Sequence, residues 1–319
     1  MSGKCENVSC AAPDIPCHLG HENYLNCPYF KKSSVQKKVA VSKNISSKKS
    51  NINWSGEAFT ISEIIKVSYR TSPILIGIIG KADAGKTSFL AMLYTLLLNG
   101  KRLTDFDFSG SKTILGWDEL HHRLKLKKGE VPFPPPTPVA SNRIYHLALK
   151  DSAKKLKDIL FSDASGEVFS LWAMNREDEN AENARWIYSN SSAFMLFIDC
   201  QALIDEKNLA KREIMYLAKQ LSHDLYNRPV IAVWSKSEKK SEILPQIRES
   251  LQKELNSLFN NFKEIEISNF LEPGPDYLVH NNNLAAIDWL LEKSLSSSSS
   301  EIIIESIISN DTFVTYRGK

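Results

Sequence analysis

The run Gly80-Lys81-Ala82-Asp83-Ala84-Gly85-Lys86-Thr87-Ser88 constrains this chain more than any other segment, because it fits the pattern of a glycine, four free positions and then Gly-Lys-Thr/Ser. Its flanks agree with the motif. Pro73 to Ile79 is a continuous apolar, β-branched run, as expected of a strand buried on both faces of a parallel sheet. Ser88 to Asn99 then carries Phe89, Leu90, Leu93, Leu96 and Leu97 at helical spacing, and Gly100 stops the helix. Strand, glycine loop and helix in this order aim backbone N–H groups and a helix N-terminus at one point, where a polyphosphate can be held. The expected contacts to a nucleoside triphosphate are Gly80, Asp83, Ala84, Gly85, Lys86, Thr87 and Ser88. Lys86 supplies a mobile cation for the β and γ phosphates, and the Thr87 hydroxyl is placed to ligate Mg2+.

With 319 residues and 42% apolar content, the chain can form one large domain with appendages. A net charge of +3 is too small to argue for nucleic acid by itself. The start of the sequence has no apolar signal region, and no apolar stretch approaches the ~20 residues that span a bilayer. The expectation is a cytoplasmic protein without a transmembrane segment. Four of the five cysteines, Cys5, Cys10, Cys17 and Cys27, fall in residues 1–30. In a chain that is not exported, such clustering favours a metal over disulfides. Four thiolates would close a tetrahedral Zn2+ site, with His21 as the alternative to one of them; the other reading is a tail of reduced cysteines. Residues 31–56 are rich in Lys, Ser and Asn and predict a solvated basic linker. The main domain is expected over 57–293, followed by a Ser-rich linker and tail over 294–319.

Arg143 to Leu149 and Leu156 to Asp163 predict a hairpin, whose second strand ends in Asp163-Ala164-Ser165-Gly166. An aspartate at such a strand end beside the P-loop strand can hold Mg2+ through water. A glycine three residues later can present its N–H to the γ-phosphate. Ser192 to Asp199 and Pro229 to Trp234 predict two further buried strands, the latter ending in Ser235-Lys236-Ser237-Glu238. Ras-like GTPases carry N/T-K-x-D there: the lysine stem packs on the base, and the carboxylate accepts two hydrogen bonds from guanine N1 and N2. Glu238 is one methylene longer than that aspartate and Ser235 replaces Asn or Thr, which leaves ATP open as an alternative. Glu264 to Ser268 predicts the last strand, with Ser268 at its base-facing end. The fold class expected is α/β: a P-loop NTPase three-layer sandwich with a mostly parallel sheet and an antiparallel edge strand, plus a small Cys-rich N-terminal module.

Gly80 to Ser88, Thr137, Asp163 to Gly166 and Ser235 to Glu238 together resemble the TRAFAC class of GTPases. More narrowly, the Cys-rich start, Phe108 to Thr113 with following Trp117, and Tyr316-Arg317-Gly318 look like the bacterial double-GTPase family of conflict systems. That resemblance implies GTP/GDP as ligand and a protein partner, either a second GTPase or a GTPase-associated protein, in antiviral defence. Thr137, just before the hairpin, is where the class keeps the threonine that reaches Mg2+ and the γ-phosphate. Thr113 is the second choice. Glu167 stands where Ras-like proteins place the glutamine that orients water, and it either assists that water or is solvated surface. No arginine is evident as a built-in finger, so intrinsic hydrolysis is expected on the order of 10⁻⁴ to 10⁻² per second. A GTP-dependent switch is the leading function. A nucleotide-bound scaffold with little hydrolysis is the alternative, as is an ATPase on the same scaffold.

Overall fold

The computed structural model of the protein describes residues 3–7, 10, 16–32, 55–64, 69, 71–124, 142–269 and 277–297. The chain divides into two units, 1–52 and 53–319. In the first, β1 (Gly3–Cys5) pairs antiparallel with β2 (Phe30–Lys32), Cys5 lying opposite Phe30. The second unit contains the sheet and every nucleotide-related motif. It opens with a short α1 (Ile61–Ile64), after Phe59 bridges to Ile144.

Seven strands form the sheet: β3 (Ile74–Ile79), β4 (Phe106–Gly110), β5 (Asn142–Asp151), β6 (Leu156–Ala164), β7 (Ala193–Asp199), β8 (Val230–Ser235) and β9 (Phe262–Glu266). Their order is β4-β5-β6-β3-β7-β8-β9. From β6 to β9 neighbours run parallel, whereas β5 is antiparallel to both β6 and β4. The mostly parallel sheet with its antiparallel edge is as the sequence leads one to expect. Strand β4 extends it, drawn from a stretch whose polarity predicts only an insertion.

Helices cover both faces, which is why β7 and β8 are buried along their whole length and read as unbroken apolar runs. On one face lie α2 (Lys86–Leu98), α3 (Ile114–Leu124) and α9 (Asn282–Ser297), and Phe89, Leu93, Trp117, Ile287 and Leu290 fill the core beneath them. On the other are α4 (Gly166–Met174), α5 (Glu182–Asn190), α7 (Asn208–Ser222) and α8 (Pro245–Leu258), packed over Phe169, Trp172, Phe194 and Trp234. A short α6 (Cys200–Asp205) joins β7 to α7. Helix α9 runs to Ser297, four residues into the serine-rich stretch expected to be linker. Among the described residues, no helix is long and apolar enough to cross a membrane.

Trp117 shows why α3 belongs to the core. It is fully buried, stacks on Tyr94 at 5.5 Å and tilts against Tyr145 at 4.8 Å, while its indole N–H donates to the His146 carbonyl at 2.8 Å. A buried indole with its polar end satisfied ties α2, α3 and β5 into one layer.

Candidate functional site

The P-loop leaves β3 at Gly80 and turns into α2 through two left-handed residues, Asp83 at φ 59° and Gly85 at φ 84°. A side chain at Gly85 would have room, since its Cβ would meet Ser235 Cβ at only 3.6 Å, so backbone conformation is what calls for glycine there. Ala84 is buried, Asp83 is exposed and Ser88 is half-buried in the first turn of α2. Lys86 opens α2 with 6% of its surface exposed, and its ammonium donates to the carbonyls of Gly80 at 2.9 Å and Lys81 at 2.8 Å. Burial pushes its pKa down to about 8, while the charges of Asp163 and Asp83 work against that shift.

Asp163 lies one residue before the end of β6 and is buried, and Thr87 Oγ donates to its two carboxylate oxygens at 3.1 and 3.2 Å. Burial raises the Asp163 pKa, opposed by Lys86, by the Thr87 hydroxyl and by Arg143. A hydroxyl and a carboxylate meeting at one point form a hard-oxygen donor pair, which suits Mg2+. Gly166 comes so close to the P-loop that an added Cβ would lie 2.0 Å from Ala82 N and 2.3 Å from Lys81 C. Only backbone fits between the two loops, which puts the start of α4 directly beside the phosphate cradle. Ser165 caps α4, its hydroxyl accepting from Glu167 N–H at 3.3 Å, and the Glu167 side chain is exposed.

At the other end of the cradle, Ser235 is buried and its hydroxyl donates to the Ile198 carbonyl at 3.3 Å. Lys236 has φ 52° and ψ 41°, and its ammonium is 2.6 Å from Asp199 Oδ2. The hydroxyl of buried Ser268 donates to the Glu238 carboxylate, and Ser268 N–H donates to the Leu278 carbonyl at 3.2 Å. The four Ser235–Glu238 positions and Ser268 therefore converge at one end of β8 and β9.

Two of these residues escaped the sequence reading. Arg143 pairs directly opposite Asp163 in the β5–β6 register, and Asp199 directly opposite Ser235 in the β7–β8 register. Directly opposed residues share a sheet face, so strand alignment was the signal for both.

Other expectations change. Thr113 is fully buried and its hydroxyl accepts from His146 N–H at 2.8 Å, tying the β4–α3 turn to β5. Thr137 and its proline-rich segment lie outside the described residues. In the N-terminal unit Cys5 and Cys27 are buried, and Cys5 shares a side-chain hydrogen bond with Cys10. Cys17 is half-buried and His21 exposed. Among the described residues no group of three or more His, Cys, Asp or Glu side chains stands close enough to hold a metal, so the expected Zn2+ ligand set is not assembled.

No curated protein matches the sequence. Among solved structures, the chain is similar to a nucleolar GTP-binding protein 1 from Plasmodium falciparum, at 15% identity and a TM-score of 0.42, over 72% of this chain and 93% of that one. It is also similar to a glycine-to-serine variant of SsGBP, at 15% identity and a TM-score of 0.36, over 72% of this chain and 58% of that one. Residues 74–290, which span the sheet from β3 to β9 with α2 and most of α9, match the Double-GTPase 2 family, and the chain belongs to that family.

Proposed function

We propose that this protein is a GTP-dependent switch that hydrolyses GTP slowly with Mg2+ and passes its nucleotide state to a protein partner. The observation that carries the reading is the meeting of Thr87, Asp163 and Gly166 at the P-loop. Thr87 would ligate Mg2+ directly and Asp163 through water, and bound Mg2+ would neutralise charge on the transferring phosphoryl group. Lys86 would move its ammonium toward the β and γ phosphates. Gly166 would donate its N–H to the γ-phosphate, so that loss of that group frees the start of α4. Thr137 would add the second hydroxyl to the metal, and Glu167, exposed beside Gly166, would align the attacking water. At the base, Glu238 would accept from guanine N1 and N2 while the Lys236 stem lies against the ring. The setting we propose, regulation of a partner in a bacterial defence system, rests on the family resemblance alone.

Single-turnover hydrolysis of GTP and ATP, with Mg2+ and with chelator, tests the reading. Mg2+-dependent turnover of GTP that disappears in Lys86→Ala is the expected result. Tight GTP binding with no turnover would favour the scaffold, and faster turnover of ATP than of GTP would favour an ATPase.

A further inference from the structure

Asp199 closes β7, and each of its carboxylate oxygens has a separate task. Oδ1 accepts from the backbone N–H groups of Gln201 at 2.9 Å and Ala202 at 3.4 Å, capping α6. Oδ2 takes the Lys236 ammonium at 2.6 Å. The carboxylate is nearly buried, its side chain 10% exposed, whereas the Lys236 side chain is 38% exposed. One member of the pair is thus fixed by backbone, and the other is a long chain that would otherwise wander. A second tie runs parallel to it: Lys239 Nζ donates to Gln201 Oε1 at 2.5 Å.

We propose that Asp199 is a positioning residue for guanine recognition, acting through Lys236; the proposal rests on the reading of Ser235 to Glu238 as the base site. Two physical effects support it. Ordering a lysine stem costs rotamer entropy, and a lysine already held at its far end has met that cost before the base arrives. The second effect concerns charge. Lys236 and Glu238 are two residues apart; Glu238 is exposed and, among the described residues, takes the Ser268 hydroxyl. An unrestrained Lys236 ammonium would be drawn to the carboxylate that must read guanine N1 and N2. Asp199 holds it away, leaving the stem as an apolar platform and Glu238 free to accept.

The test uses the full chain and fluorescent GDP and GTP. Asp199→Asn keeps an oxygen acceptor for the α6 cap but removes the charge that holds Lys236. It should weaken GDP and GTP binding equally, by about tenfold, as loss of a charge-assisted contact implies. The single-turnover rate at saturating GTP should stay unchanged, because the phosphate end is untouched. Lys236→Met, at a half-exposed side chain, should show a comparable loss, and adding Asp199→Asn to it should cost nothing more. Parental affinity in Asp199→Asn, or a loss that persists undiminished in the Lys236→Met background, would overturn the proposal and leave Asp199 as a helix cap. Binding by the parent protein decides the base-site reading separately: preference for ATP sinks the guanine assignment of Glu238, while the Asp199 ratio is still read with the nucleotide that binds. A parent that binds no purine nucleotide overturns both.

Discussion

Thr87 Oγ lies 3.1 and 3.2 Å from the two carboxylate oxygens of Asp163, so residues 76 positions apart in sequence share one hydrogen-bonded point at the mouth of the P-loop. That contact joins the first turn of α2 to the end of β6. It also means that the carboxylate is held in place by the hydroxyl with which it would share the metal.

Asp163→Asn should lower Mg2+ affinity in the GTP complex by about 10- to 100-fold, the range for a group that orients a metal through its outer shell. Because the Asp163 charge offsets the burial of the Lys86 ammonium, the neutral amide should also lower the melting temperature of the nucleotide-free protein. A Mg2+ titration of single-turnover hydrolysis, paired with thermal unfolding, checks both statements. An unchanged Mg2+ requirement would remove Asp163 from the metal site.

Lys86 gives a pH signature. Its ammonium is pushed down to about 8, so GDP affinity should fall as pH rises through and beyond that value, because the neutral amine offers the β-phosphate no charge. Folding of the nucleotide-free protein should respond in the opposite sense. Between about 8 and the ordinary 10.5, the unfolded chain binds a proton that the native chain lacks, and stability contributed at this residue rises with pH. Isothermal titration with GDP across this window, repeated on Lys86→Arg, separates the effect from other groups. The arginine variant should show a flat profile whatever its absolute affinity.

Glu238→Ala should weaken GTP binding by about 1.5 to 3 kcal/mol, tenfold or more, and leave ATP binding nearly as it was. Adenine has no N1–H and N2–H pair for the carboxylate to accept. Equal losses for the two nucleotides in a competition assay would show that Glu238 does not read the base.

Gly166→Ala should separate the α4 start from the P-loop, since the new methyl group would have to occupy space 2.0 Å from Ala82 N. Backbone atoms have no rotamer by which to yield. GDP binding should survive within a few-fold, whereas GTP hydrolysis should fall by at least about tenfold, the cost of a misplaced charged hydrogen bond to the γ-phosphate. Normal turnover by this variant would place the γ-phosphate contact elsewhere.

The parts of this site visible in the sequence are those whose chemistry is written in contiguous residues. Gly80 to Ser88 and Asp163 to Gly166 declare themselves because a phosphate cradle and a strand-end acid each need a fixed local spacing, and the apolar runs of β3, β7 and β8 follow from burial on both faces. Asp199 and Arg143 were not legible, since each matters through a neighbour on another strand, and register is a property of pairing. Strand β4 was missed for another reason. Phe106-Asp107-Phe108-Ser109 does alternate apolar and polar residues, but over so few positions, and with the middle of the strand exposed at the sheet edge, that the pattern does not stand out from the polar stretch around it. The cysteines mark a further limit: their spacing nominates Cys5, Cys10, Cys17 and Cys27 as ligands, but which side chains meet is decided by tertiary structure, and among the described residues no metal-holding group is present.

Strand order also bears on how such a protein can change. The chain leaves β3, builds β4, β5 and β6 on one flank, then crosses to lay down β7, β8 and β9 on the other. Asp163 and Gly166 come from the first flank; Asp199, Ser235 to Glu238 and Ser268 come from the second. On the function proposed above, clock and address would hang on opposite sides of a single strand, so that a substitution among the residues proposed to time hydrolysis need not disturb those proposed to choose the base. A variant silenced on the first flank would then still hold its nucleotide.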